Sequence, residues 1–174
     1  MQKEEIIQLL EKEHLTLVTW LEKQPDENWE KGPDNKWTTG QHVLHLVDSL
    51  KKLNYALSIP KFILKNKYGV SNRALRPYAA VTKRYEERLA ESQAKAKTFN
   101  AGLKTSPLNE KKRLIDTLIT QNKKLQYKTN KWKDAHLDTL ILPHPLMGKM
   151  PIREIIMWTA HHTKHHRDLL IEKY

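Results

Sequence analysis

What constrains this chain most is the placement of its helix breakers. Pro25, Pro60, Pro77, Pro107 and Pro151, with Gly102, bound five segments in which apolar residues recur every three or four positions. Few β-branched runs and only 5 glycines, together with many Leu, Lys, Glu and Gln, predict an all-α protein.

The first segment, about residues 2–23, carries Ile6, Leu10, Leu17 and Leu21 on one face and stops before Pro25. A polar loop, "QPDENWEKGPDNKW", follows it. Thr38 or Thr39 then caps a second helix that holds Val43, Leu46, Val47, Leu50, Leu53 and Leu57. Pro60 ends or kinks that helix, and "KFILKNKY" can continue beyond a bend. A third helix is expected from near Pro77 to near Gly102, with Val81, Tyr85, Leu89, Ala96 and Phe99 along one side. For the fourth, Ser106 is the expected cap and Pro107 lies in the first turn, and Leu114, Leu118 and Leu125 lead to about Trp132. The stretch "LPHPLMGKMP" cannot be regular helix, and Pro151 opens a last helix that runs nearly to Tyr174. Long antiparallel helices joined by loops predict a four-helix bundle with one extra helix.

A length of 174 residues suits one domain, 1–174. The chain has no cysteine, which excludes disulfides, thiolate zinc sites and a thiol nucleophile. Its start, "MQKEEIIQLLEKEH", is charged from the third residue, and no apolar run approaches the roughly 20 residues a membrane helix needs. A cytoplasmic protein without membrane contact is the expectation. The formal charge of +11, from 31 Lys+Arg against 20 Asp+Glu, raises nucleic acid or an anionic ligand as a partner. However, "KNKYGVSNRALRPY" and "NKKLQYKTNKWK" do not interleave aromatics as a single-strand platform would, and a solvated basic face is the simpler reading.

The segment "TAHHTKHHRDLL" concentrates four histidines in six positions. With about 100° of turn per residue, Ile152, Ile155, Ile156, Leu169 and Leu170 define an apolar side. His166 falls near its centre and His162 roughly 40° away, whereas His161 and His165 fall about 100° or more away, toward solvent. The inward pair is spaced i, i+4, so both imidazoles can reach one metal ion. A bundle site needs a further ligand from a facing helix, and the second helix offers His42 and His45. The apolar phase favours His42, while His45 lies on a flank with Ser49 and Ala56. Spacing alone does not choose between them. His14 has core periodicity, and His136 and His144 sit in or beside loops without a ligand-spaced partner.

At these residues the chain resembles the DinB-like family of four-helix-bundle proteins. "KWTTGQHVLHLVDS" is similar to the family's Trp-Ser/Thr start to the second helix, with a ligand histidine eight positions after the Trp. "HPLMGKMPIREIIMWTAHHTKHHRDLL" is similar to the last helix, with its HxxxH pair. The resemblance runs from about Trp37 to the end and is specific at its two ends. It implies an all-helical bundle holding one divalent metal, zinc or nickel, through His45, His162 and His166, with His42 left as a supporting group or substitute ligand.

Some members look like thiol-dependent transferases, which makes a metal-dependent thiol S-transferase or hydrolase the leading functional expectation. Without a cysteine, the sulfur would come from a low-molecular-weight thiol. Asp48, one turn after His45, is a candidate to orient an imidazole or accept a proton, or else an ordinary acid paired with Lys51 or Lys52. The alternative is a non-catalytic binding protein whose basic surface meets nucleic acid or an acidic partner. Whether the protein forms a homodimer is left open by the sequence.

Overall fold

The computed structural model describes residues 1–33, 36–92 and 104–174. In chain order its helices are α1 (Lys3–Glu22), α2 (Thr39–Ala56), α3 (Lys61–Tyr68), α4 (Tyr78–Glu91), α5 (Lys111–Lys131), α6 (Asp134–Thr139) and α7 (Ile152–Lys173). Strands β1 (Ile141–His144) and β2 (Gly148–Pro151) form a hairpin between α6 and α7. The expected continuation of the third helix through Ala96 and Phe99 lies outside the described residues.

The bundle is made by α1, α2, α5 and α7. Helix α1 packs against α5 and α7, α2 packs against α5, and α4 lies along a further side of α7. Leu10, Leu17, Leu50, Leu118, Leu125, Ile156 and Leu170 meet in the core, essentially without exposure. Each such side chain contributes about 1.5–3 kcal/mol by leaving water. Their spacing was the signal in the sequence, and it places them as expected.

The start of α2 is fixed by local chemistry. The Thr38 hydroxyl accepts from the Gln41 N–H at 3.2 Å, and the Gln41 side chain accepts from the Thr38 N–H at 2.9 Å, a reciprocal capping box. Gly40 lies against Trp29, and a Cβ there would stand 2.8 Å from the indole ring and 3.1 Å from Ser106 Cβ. Only glycine lets the first turn of α2 approach so closely.

The expected cap of the fourth helix is corrected. Ser106 is buried beside Gly40 with its hydroxyl unpaired among the described residues, and Pro107 leads into a 3₁₀ turn, Leu108–Glu110, ahead of α5. The Glu30 carboxylate takes the Leu108 N–H at 2.7 Å, so the capping acceptor comes from the loop after α1.

The proline-rich stretch before α7 is the antiparallel hairpin, with Ile141 opposite Pro151 and His144 opposite Gly148. Gly148 adopts φ 72°, the left-handed conformation a tight three-residue loop needs. The His144 Nδ1 accepts from the N–H groups of Leu146 and Met147, both at 3.1 Å, and closes the turn. Helix α7 therefore starts at Ile152, after Pro151, as its sequence predicts.

Candidate metal centre

Helices α2 and α7 meet along a seam of imidazoles. From α7, His162 and His166 point into it one turn apart; from α2, His45 comes from the flank and His42 from the buried face. The Nε2 atoms of His45 and His162 lie 3.0 Å apart, and those of His162 and His166 lie 3.1 Å apart. One ligand atom from each of His45, His162 and His166 falls within 4.8 Å of the other two. Among the described residues no fourth His, Asp or Glu joins this group.

Two indoles close the site. Trp37 stacks parallel to His166 at 5.8 Å and 5°, and Trp158 stacks on His162 at 4.5 Å and 20°. Trp158 stands one turn before His162 on α7, so its place could have been read from spacing. Trp37 marks the start of α2 in the family pattern, but nothing in its own position forecasts the stacking.

Burial keeps these imidazoles neutral. The His45 pKa is lowered to about 4, first by burial and then by the charges of Lys52 and His165. That of His42 is lowered to about 3 by burial, then by His45 and His165. His162 and His166 lie well below the ordinary histidine value, again through burial first. Neutral imidazoles offer the lone pairs that a cation needs.

His42 is not among the three. Its Nδ1 lies 2.8 Å from Nδ1 of His166, on the side of that ring away from His162, and its Nε2 lies 3.2 Å from the Tyr174 hydroxyl. The apolar phase of α2 correctly placed His42 inward, yet the flank position of His45 is the one facing the His162 nitrogen. Asp48 is half-buried and has no hydrogen-bond or ion-pair partner among the described residues, so neither the Lys51 nor the Lys52 pairing occurs.

The outward orientation expected for His161 is corrected. Every residue from Ile152 to Thr163 is buried, and His161 is only 8% exposed. Helix α4 covers that side of α7, so α7 has no single apolar stripe there. The Tyr85 ring of α4 meets His161 edge-on at 5.8 Å and His165 at 6.0 Å. His161 Nε2 also stands 3.3 Å from a Glu86 oxygen. His165 is half-buried beside it. His144, which the sequence left in a loop, is buried against Trp158 at 4.2 Å.

The sequence signature of the DinB superfamily matches residues 9–170. The chain belongs to that superfamily. No curated protein matches it. Among solved structures, a similar one is YfiT from Bacillus subtilis, described as "a probable metal-dependent hydrolase with an unusual four-helix bundle topology". The alignment covers 98% of this chain and 85% of that one, with a TM-score of 0.62 and 20% identity. At that identity it shows a shared fold. The DinB superfamily bundle thus accounts for α1, α2, α5 and α7, and the imidazole seam lies where two of these helices meet. Among the described residues no helix is long and apolar enough to cross a membrane.

Proposed function

We propose that this DinB-superfamily protein is a metal-dependent enzyme in which His45, His162 and His166 hold one divalent ion. The observation that carries this reading is the convergence of three neutral imidazoles, with Nε2 contacts of 3.0 and 3.1 Å and, among the described residues, no fourth protein ligand beside them. The donor set fits zinc or nickel, for which imidazole is a favoured ligand. Structural zinc is normally closed by four protein ligands, whereas catalytic zinc keeps a position for a small molecule.

An ion held there supplies Lewis acidity, lowering the pKa of a water or thiol so that it becomes a nucleophile at neutral pH. The chain's own residues do the rest. His162 and His166 anchor the deep side, while half-buried His45 leaves an approach along the α2 flank. Trp37 and Trp158 exclude water around the two α7 rings. Asp48, one turn beyond His45 and without a partner among the described residues, is placed to accept a proton.

With water as nucleophile the enzyme is a hydrolase, the activity ascribed to YfiT. With a low-molecular-weight thiol it is an S-transferase, and the net charge of +11 favours anionic cosubstrates. On α4 the pairs Lys83–Glu87 and Arg88–Glu91 alternate in sign, which weakens the case for a continuous nucleic-acid stripe.

The test begins with elemental analysis of protein purified without a histidine tag or nickel column. Zinc-loaded protein is then offered glutathione or bacillithiol with an electrophile, and in parallel ester and amide substrates. Metal-dependent product that disappears in His162→Ala is expected. Absence of bound metal together with absence of any product overturns the proposal.

A further inference from the structure

The far nitrogen of His166 begins a chain of contacts that determines where its proton sits. His166 Nδ1 lies 2.8 Å from His42 Nδ1, and His42 Nε2 lies 3.2 Å from the Tyr174 hydroxyl. That hydroxyl donates to the Trp37 carbonyl oxygen. The carbonyl can only accept, so Tyr174 commits its one proton there, and its oxygen can only accept from His42. His42 Nε2 therefore carries the hydrogen of that neutral imidazole, which leaves His42 Nδ1 as an acceptor. His166 must then carry its hydrogen on Nδ1. Its Nε2 is left with a lone pair, aimed toward His162.

We propose that His42 and Tyr174 are positioning residues which fix the His166 tautomer, so that Nε2 of His166 presents a lone pair to the divalent ion. The inference rests on the metal reading of the site. In metal centres the other nitrogen of a ligand histidine commonly donates to an acceptor, which sets both ring orientation and basicity. Here a second histidine is that acceptor, and a tyrosine one helix turn past Leu170 sets the acceptor's own tautomer. His162 differs: its Nδ1 is buried without a hydrogen-bond partner among the described residues, and the Trp158 stack holds its ring instead. The chain also ties the end of α7 to Trp37, just ahead of the α2 cap. Loss of the Tyr174 hydroxyl frees His42 to turn its N–H toward His166, and loss of His42 leaves the His166 Nδ1 hydrogen without its acceptor; either change frees the His166 proton to move onto Nε2 and remove a ligand lone pair.

The experiment compares zinc affinity, by chelator competition, in the full chain and in His42→Leu, His42→Asn and Tyr174→Phe. Asparagine places a carbonyl oxygen where His42 Nδ1 stands, because both are bonded to Cγ. Long-range ¹H–¹⁵N spectra of the zinc-free proteins report the His166 tautomer directly. His42→Leu should bind zinc about 10- to 100-fold more weakly, with His42→Asn returning to within about threefold of wild type. Tyr174→Phe should fall between them, and wild-type His166 should show the Nδ1–H form. A purely structural role for His42 would lower stability but would not move the tautomer, nor be rescued by asparagine. Wild-type affinity in His42→Leu, or an Nε2–H form of His166 in the wild type, overturns the inference. Should His42→Leu fail to fold, Tyr174→Phe decides, and wild-type affinity with an unchanged tautomer overturns it. A wild-type protein that binds no divalent ion overturns the metal reading instead, and the spectra still decide the tautomer assignment.

Discussion

Helix α7 carries two histidine pairs of the same spacing, and they meet different neighbours. On the side facing α2, His162 and His166 find His45, and the nitrogens close to 3.0 and 3.1 Å. On the side facing α4, His161 and His165 find the Tyr85 ring edge-on at 5.8 and 6.0 Å, with Glu86 beyond. Both sides are largely buried, and burial lowers the pKa of every one of these histidines. Burial therefore does not distinguish a candidate ligand from a packed histidine. What does is the partner helix: α2 contributes an imidazole to the seam and α4 contributes a phenol and a carboxylate.

The sharpest way to break this comparison is to remove one pair at a time. His162→Ala or His166→Ala should abolish stoichiometric metal, since each would remove one of the three candidate ligands found among the described residues. His161→Ala and His165→Ala should keep it. Elemental analysis of tag-free protein measures this, and dependence of the metal on the α4-facing pair would refute the assignment.

The sequence was readable where a single physical signal dominated. Apolar spacing located the bundle helices, and the breakers located their ends, because α1, α2 and α5 bury mainly one face. It failed where two elements compete for one helix. A wheel assumes one apolar stripe, so it sent His161 outward, whereas α4 covers that side of α7. Phase leaned toward His42 without choosing between it and His45, because the seam with α7 runs along the flank of α2. The family pattern separated them. Ser106 looked like a cap, but its place beside Gly40 is set by packing, and Glu30, distant in sequence, supplies the acceptor. Short α6 and the hairpin carry too few residues for periodicity to register.

A smaller effect sharpens the independence of the two sides. Glu154, fully buried at the start of α7, takes Arg73 through two bonds of 2.6 and 2.7 Å and the Arg76 N–H at 2.7 Å. Burial alone would raise its pKa, but Arg73 and Arg76 outweigh burial and lower it. This cluster holds the chain entering α4. Glu154→Gln should cost about 2–3 kcal/mol in denaturant unfolding, with part of the loss relieved because both guanidiniums reach water. Metal content should be unchanged. Loss of metal here would mean that the α4 side supports the seam after all.

The smallest effect at neutral pH belongs to His144, which lies under Trp158 on the hairpin side of α7. Its Nδ1 accepts from Leu146 and Met147, so protonation would break both turn bonds, and burial lowers its pKa from 6.5 to about 4. The folded state thus prefers neutral His144, while the unfolded chain protonates near 6.5. The stabilisation is complete above pH 6.5 and is lost progressively as the pH falls toward about 4. At pH 5 this single group should cost about 2 kcal/mol relative to neutral pH. His144→Asn keeps a side-chain acceptor for the same turn and removes the titration. Its unfolding free energy should match wild type within about 0.5 kcal/mol at pH 7.5 and exceed it by about 2 kcal/mol at pH 5. Equal stability of the two proteins at pH 5 would show that His144 does not titrate with folding, leaving the loss in acid to the histidines on α1, α2 and α7.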